Sequence, residues 1–319
     1  MKLIPSLEPI RPQLERVEGL LCETLAEVEE SLISVLRHSL GGGKRLRPAL
    51  VILTGQVFAS SSEPFYSLAA AVDMLHTATL IHDDLLDEAP LRRGRETLHR
   101  VWPPGAAILA GDYLLGQAIS LIAELGHPRI FKVFGETICA LCAGEIGRMI
   151  VAEAEPSREE YHRSIEAKTA SLLAASTEMA AILAGAGELQ IAALRRFGRE
   201  FGMAFQIVDD VLDFIGDEAQ LGKPAGSDFR QGLITLPILC HLERAKDDDP
   251  VRTVLSGQRD EEHVRVAIEA VRSSGAIEAS LVEARAYARR SQEALAALPD
   301  NASCQMLCSL AEYVVERKR

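Results

Sequence analysis

Two acidic motifs of the same type stand out in the 319-residue sequence, DDLLD at residues 83–87 and DDVLD at residues 209–213. Each places two Asp four residues apart in an apolar stretch, and on a helix such carboxylates lie on one face about one turn apart. Like charges repel at that spacing, and burial of an unpaired carboxylate is costly. No Lys or Arg lies within four residues of either motif. We therefore expect cations between the motifs, best supplied by Mg²⁺ that bridges a phosphorylated substrate.

A basic segment, GGGKRLRP at residues 41–48, is the first candidate anion site. It is not a P-loop, because His38 stands where the first glycine is needed and Arg45 follows Lys44 where Ser or Thr is needed. A glycine turn that leads into a basic helix start still suits an anion, since N-terminal backbone N–H groups add to the side-chain cations. The alternative interpretation is a helix end followed by an exposed basic turn.

Further cations follow each acidic motif. The RRGR segment at residues 92–95 comes directly after the first one, and the forked donors of Arg suit a diphosphate. Lys168 lies in an apolar helical stretch and is expected to point into a cavity, whereas Lys223 lies in a loop that would close over the site. Asp112 is another acid in an apolar helix, and is either a partner behind the metal ligands or a helix–helix anchor.

The composition is that of an ordinary globular protein, with 48% hydrophobic and 25% charged residues. A net charge of −12 argues against nucleic acid as a partner. The N-terminus lacks the pattern of a signal peptide, and no run of about 18 uncharged apolar residues is present, so we expect a cytoplasmic protein without a transmembrane segment. Cys139 and Cys142 form a C-x-x-C that is expected to be two small core residues with reduced thiols.

Helical periodicity dominates the chain and predicts an all-α fold. We expect one domain over residues 1–319, a large bundle around a central cavity, with binding residues on inward-facing helix positions. The main predicted helices span 11–38, 45–59, 64–88, 106–125, 128–153, 158–185 and 188–217. Two stripes would line the cavity: His76, Leu80, Asp83 and Asp87 on one helix, and Gly202, Gln206, Asp209 and Asp213 on another.

Six segments in this order resemble the motifs of trans-isoprenyl diphosphate synthases, the polyprenyl synthetase family. They are GGGKRLRP, LIHDDLLDEAPLRRG, LAGDYLL, EAKTASL, FQIVDDVLDFIGD and GKPAGSDFRQGLITLP, and they span about residues 40–240. The resemblance implies the isoprenoid synthase type I fold and a homodimer. It also implies head-to-tail (1′-4) condensation of isopentenyl diphosphate with an allylic diphosphate.

The resemblance implies a role for each matching residue. Asp83 and Asp87 would bind two Mg²⁺ ions with support from Asp84, and Asp209 would bind a third with help from Asp210 and Asp213. The diphosphate of isopentenyl diphosphate would be held by Lys44, Arg47, His76 and Arg93. The allylic diphosphate would be held by Arg92, Lys168 and Lys223, and the allylic carbocation would lie along Thr169 and Gln206.

Three positions before the first acidic motif are expected to set the product length. Ala78 lies roughly 7–8 Å below the metal level, because a helix rises 1.5 Å per residue. The resemblance implies that short-chain members place large aromatic residues at Ala78 and Thr79 as a floor, whereas both side chains here are small. Met74, one turn deeper, is flexible. The expected product is longer than C15, about C30–C50, with geranylgeranyl diphosphate as the alternative.

Three other classes of protein would differ from this sequence in their motifs. A class I terpene cyclase would carry a different second motif and would not need the Lys44, Arg47 and His76 site. A non-catalytic prenyltransferase subunit typically loses one acidic motif, and this chain keeps both. A purely structural helical protein would not place six Asp in apolar helices.

Overall fold

The computed structural model describes residues 4–24, 30–40, 45–92, 94–150, 157–216 and 225–317. Its first helices are a 3-10 turn Pro5–Ile10, α1 Arg11–Glu23, α2 Glu30–Leu40, α3 Leu46–Val57, α4 Glu63–Leu86, α5 Leu98–Val101, α6 Pro104–Glu124 and α7 Pro128–Ile150. They are followed by α8 Arg158–Ile165, a π-helical turn Glu166–Ala170, α9 Ser171–Leu183 and α10 Glu188–Ile215. The remaining elements are α11 Ser227–Arg230, α12 Leu236–Leu242, α13 Pro250–Leu255, α14 Glu261–Ser273, α15 Ala276–Ala294, a 3-10 turn Leu295–Ala297 and α16 Ala302–Glu316.

The chain forms two compact units. One comprises Met1–Thr137, Leu172–Arg195 and Ala297–Ser309, and the other Ile138–Ser171, Arg196–Ala296 and Leu310–Arg319. In the first unit α4 packs against α1, α3 and α6. Five consecutive residues of α4, at positions 68–72, are fully buried, so this helix is surrounded on all sides over that stretch.

In the second unit, α12 packs against α15, and α13 packs against α14. Ser157 caps the N-terminus of α8, since its hydroxyl accepts the backbone N–H of Glu160 at 3.2 Å. Arg158 extends from that end to Glu243 and Glu283, with N–O distances of 2.5 and 2.8 Å, and so ties α8 to α15 and to the end of α12.

The all-α prediction is confirmed, with three local differences. The predicted helix 11–38 ends at Glu23 and resumes at Glu30. In the predicted loop 89–105, the strands Leu91–Arg92 and Arg95–Glu96 pair in an antiparallel hairpin, and Gly94 adopts a φ of 76° at its turn. The predicted helix 158–185 contains the π-helical turn Glu166–Ala170, and such turns often occur at functional sites.

By length and composition, α6 is long and apolar enough to cross a membrane. Only a third of its most apolar 18-residue stretch is buried. Its buried side faces α4 through small residues such as Ala107, Ala110 and Gly111. Its other side exposes large apolar side chains, among them Leu109 at 68% and Ile108 at 47% exposure. The free thiols Cys139 and Cys142 are also exposed on α7, so their predicted place in the core is wrong.

Candidate active site

The first acidic motif ends α4 with its two outer carboxylates accessible. His76, Thr79, Leu80 and Asp83 are partly exposed at a helical spacing of three or four residues, whereas residues 77, 78, 81 and 84 are buried. Asp87 follows the last residue of α4, and its backbone N–H donates to the Asp83 carbonyl at 2.8 Å. The helix therefore places Asp83 and Asp87 one turn apart on an open stripe, which suits two ligands of a hard cation.

The middle acid of the motif has a different environment. Asp84 is buried, and Arg92 of the hairpin donates to its Oδ1 from Nε at 2.8 Å and from Nη2 at 2.5 Å. The guanidinium therefore offsets the cost of burying this carboxylate. The Arg92 side chain is still 42% exposed, so its outer edge is accessible from solvent.

A close contact between α4 and α6 lies behind Asp83. The His82 imidazole Nε2 is 3.2 Å from the Ile108 carbonyl and 3.6 Å from Asp112 Oδ1. A Cβ on Gly111 would be 2.2 Å from the same nitrogen, so only glycine allows this approach. Of the two roles considered for Asp112, the structure supports the helix–helix anchor.

The start of α3 is fixed by Arg45, whose contacts the sequence did not predict. Arg45 has a left-handed φ of 50° and is buried. Its guanidinium pairs with Asp73 of α4, and with Glu18 of α1 at 2.5 Å. Asp73 precedes His76 by three residues, so this pair joins the start of α3 to the helix that carries the acidic stripe. Arg47, the second residue of α3, is half-buried.

In the second unit, Lys168 and Thr169 both lie in the π-helical turn. Gly144 of α7 permits the turn to approach, since a Cβ there would be 2.6 Å from the Ala167 Cβ. Lys168 Nζ lies 2.7 Å from Glu145 Oε1, and Arg148 Nη2 lies 2.9 Å from Glu145 Oε2. Burial raises the pKa of Glu145, but these two cations outweigh burial and hold the pKa below its usual value.

Asp209, the first acid of the second motif, is 42% exposed on α10 and pairs with a distant cation. Arg317 Nη2 lies 2.9 Å from its Oδ1 and also donates to the Phe205 carbonyl at 2.7 Å. The guanidinium stands over the Phe205 ring, 4.1 Å from the centroid, and the Arg317 side chain is only 3% exposed. No local pattern in the sequence identifies this pair, because 108 residues separate its members.

The other two acids of the second motif are buried. Asp213 accepts the backbone N–H of Asp228 at 3.1 Å, and its own carbonyl accepts the N–H of Gly226 at 2.8 Å. Asp213 thus fixes the start of α11, at the far end of the segment that follows α10. The loop that contains Lys223 and is predicted to close over the site, residues 216–231, is described only at residue 216 and residues 225–231.

Asp210 is the centre of a buried network. Its Oδ2 accepts the Tyr161 hydroxyl at 2.6 Å, and its Oδ1 accepts Gln206 Nε2 at 2.8 Å. Gln206 Oε1 in turn accepts the Thr169 hydroxyl at 2.7 Å. Burial raises the pKa of Asp210 to about 8, against the two hydrogen bonds that lower it. The sequence predicted Thr169, Gln206 and Asp210 but missed Tyr161.

The predicted chain-length positions differ in their surroundings. Thr79 lies on the accessible stripe of α4, four residues before Asp83. Ala78 is buried in an apolar cluster with Ile81 and with Ala107 and Ala110 of α6. Met74 is fully buried in α4. Three predicted substrate-binding residues lie outside the described residues: Lys44, Arg93 and Lys223.

The described residues hold no ready-made cage of three or more His, Cys, Asp or Glu side chains for a metal ion. Mg²⁺ does not need one, because it is commonly bound by one or two carboxylates together with substrate phosphates and water. The open pair Asp83 and Asp87 and the half-exposed Asp209 fit that mode. Asp84, Asp210 and Asp213 are each already hydrogen-bonded to protein donors.

We expect the change Arg317→Met to lower the free energy of unfolding by about 1–3 kcal/mol, because it removes buried charge-assisted hydrogen bonds while keeping the bulk. Mg²⁺ should then stabilise the variant more than the parent protein, since no guanidinium competes for Asp209. Thermal denaturation with and without Mg²⁺ measures both effects. The control is Arg289→Met, whose side chain is 73% exposed. Equal stabilisation of variant and parent by Mg²⁺ would contradict the competition.

Comparison with known proteins places this site in a family. The sequence profile described as polyprenyl synthetase matches residues 29–271. Heptaprenyl diphosphate synthase component 2 of Geobacillus stearothermophilus is 37% identical over 96% of this chain and 99% of its own. A short chain isoprenyl diphosphate synthase of Methanothermobacter thermautotrophicus is 36% identical over 95% of this chain and 94% of its own.

The structural comparison agrees. The crystal structure of a polyprenyl synthase from Caulobacter crescentus CB15, complexed with calcium and isoprenyl diphosphate, superposes with a TM-score of 0.93. It is 33% identical, and the match covers 98% of this chain and 97% of that one. Further curated relatives are named heptaprenyl, octaprenyl and nonaprenyl diphosphate synthases. The predicted family and the predicted prenyl transfer are thus confirmed. This chain is a prenyltransferase that belongs to the polyprenyl synthetase family.

Proposed function

We propose that this protein condenses isopentenyl diphosphate with an allylic diphosphate, head to tail and with Mg²⁺, to make a trans-polyprenyl diphosphate of about C30–C50. The observation that carries this proposal is the open stripe of α4, where Asp83 and Asp87 stand above the small side chain of Thr79. Carboxylates at the top suit metal-bound diphosphate. The absence of a large side chain at Thr79 leaves room for a chain that grows beyond fifteen carbons.

In this proposal the acidic residues bind the metal ions and the basic residues bind the two diphosphates. Asp83 and Asp87 would hold two Mg²⁺ ions and Asp209 a third, with Asp84, Asp210 and Asp213 in support. When bound, the ions would neutralise the negative charge that develops on the leaving diphosphate. Cationic side chains add to this: Lys44, Arg47, His76 and Arg93 for isopentenyl diphosphate, and Arg92, Lys168 and Lys223 for the allylic diphosphate.

The uncharged residues Thr169 and Gln206 would lie along the allylic carbon that becomes electron-poor. Both are supported by the buried network around Asp210, so their dipoles are held in place before the substrate reacts. Water must be kept from this carbon, and closure of residues 216–231 would exclude it. The proton lost in the last step would leave with the diphosphate.

The names of two relatives suggest alternatives to this proposal, one for the product and one for the subunit composition. The relative with a short-chain name keeps geranylgeranyl diphosphate as a candidate product. The relative named component 2 raises the possibility that a second subunit is needed. Both acidic motifs are complete here, and this favours a catalytic chain over a non-catalytic subunit.

The direct test is incubation of the purified chain with labelled isopentenyl diphosphate, an allylic primer and Mg²⁺. We expect elongation, and a loss of rate on the order of 10²-fold or more in Asp83→Asn, because the metal-supported charge stabilisation is removed. Asp112→Asn, at an acid that is 59% exposed on α6, is the matched control. A cyclic hydrocarbon product, or no turnover by the chain alone, would refute the proposal.

The product length is tested by adding bulk below the acids. Thr79→Phe should shorten the product, because an aromatic ring on the open stripe forms a floor. Ala78→Phe or Ala78→Tyr should act in the same direction but also destabilise the protein by about 1–3 kcal/mol, since Ala78 is packed against α6. Leu86→Phe, at a residue 50% exposed on the same helix, serves as control. Unchanged chain lengths in these variants would exclude a floor at this depth.

We further propose a homodimer that buries the outer face of α6. An apolar helix that is only one-third buried is typical of an interface and not of a solvated surface. The change Leu109→Glu should convert the dimer to a monomer, as measured by size-exclusion chromatography with light scattering, because it buries an unpaired charge. Leu189→Glu, at a residue 85% exposed elsewhere, should not. A parent protein that is monomeric would contradict this assignment.

A cytoplasmic location remains a prediction.

A further inference from the structure

Tyr161 is a buried polar residue of α8 to which the mechanism above gives no role. It is only 7% exposed, and its hydroxyl donates to Asp210 Oδ2 at 2.6 Å. Asp210 itself is 3% exposed, and its other oxygen accepts Gln206 Nε2. Both carboxylate oxygens of Asp210 therefore take protein donors away from solvent, whereas the neighbouring Asp209 is 42% exposed. This pattern fits a residue that orients side chains, not one that binds a metal.

The network also fixes the direction of an amide. Asp210 is the acceptor in both bonds, from the Tyr161 hydroxyl at Oδ2 and from Gln206 Nε2 at Oδ1, so the NH₂ group of Gln206 points to Asp210. Its carbonyl oxygen is thereby turned to Thr169, whose hydroxyl donates to it at 2.7 Å. The single Thr169 proton is engaged in that bond, so its oxygen presents lone pairs to its remaining surroundings. With the amide reversed, Thr169 would accept from Gln206 and turn its proton outward.

We propose that Tyr161 is a positioning residue for prenyl transfer: by holding Asp210 as an acceptor it sets the amide direction of Gln206 and keeps the lone pairs of Thr169 toward the electron-poor allylic carbon. The inference rests on the proposed function of Thr169 and Gln206. It assigns Asp210 to this network in place of the metal-assisting role implied by the family resemblance. Preset dipoles of this kind stabilise charge that develops in a transition state without reorganisation.

The change Tyr161→Phe removes the donor and keeps the ring. We expect kcat to fall about tenfold, the effect of roughly one hydrogen bond, while KM for both substrates and the Mg²⁺ concentration for half-maximal rate stay unchanged. Tyr287→Phe is the matched control, because Tyr287 belongs to α15 and its ring contacts His162 and Arg290 instead of Asp210. An unchanged kcat, or a raised Mg²⁺ requirement, in Tyr161→Phe would overturn the proposal.

A second variant covers the case in which Tyr161→Phe does not fold. Asp210→Asn replaces one of the two acceptor oxygens with an NH₂ donor, so the bond from Tyr161 or the bond from Gln206 is lost or reversed, and kcat should fall with an unchanged Mg²⁺ requirement. Asp209→Asn should instead raise the Mg²⁺ requirement. Equal Mg²⁺ shifts in the two Asn variants would place Asp210 in the metal site and refute the assignment.

A measurement that does not depend on enzymatic activity can test the positioning role of Tyr161 separately from the proposed function. In ¹⁵N NMR spectra, the side-chain NH₂ signal of Gln206, assigned by its loss in Gln206→Glu, should shift in Tyr161→Phe and not in Tyr287→Phe. An unshifted signal would overturn the positioning role, even if the parent protein elongates prenyl chains. A shifted signal in a protein without prenyl transfer would uphold the network and refute the function.

Discussion

The cost of placing carboxylates in apolar helices is the constraint on which the rest of this structure depends. Six Asp in two motifs must each find water, a cation or a hydrogen-bond donor, because a buried unpaired carboxylate is not tolerated. Since successive residues on a helix point about 100° apart, two adjacent acids face different surroundings. Asp83 and Asp209 are partly exposed, whereas Asp84 and Asp210 are buried next to them.

The two motifs have nearly the same sequence, but their Asp residues have different partners. Asp84 is balanced by the guanidinium of Arg92, which lies eight residues away on the hairpin. Asp210 is instead held by neutral donors from Tyr161 and Gln206. The last acid also differs, since Asp87 lies at the open end of α4 and Asp213 is buried beneath the start of α11. The first motif thus leaves its two outer acids partly exposed, and the second leaves only its first acid so.

Close approach of helices supports this arrangement in each unit. Gly111 lets the His82 ring lie against α6 directly behind Asp83, and Gly144 lets the π-helical turn lie against α7. The turn places Lys168 and Thr169 side by side, Lys168 toward Glu145 and Thr169 toward Gln206. Small residues at these positions therefore decide where the charged and polar groups stand.

The sequence by itself determined the helical class, the family and most of the candidate site, because helical period, motif order and charge are local properties. Tertiary structure alone decided the partners: Arg317 for Asp209, Tyr161 for Asp210 and Arg45 for Asp73 join residues far apart in the chain. It also separated Ala78, packed against α6, from Thr79 on the open stripe. Spacing along a helix fixes which residues share a face, whereas only packing decides which face meets protein and which meets solvent.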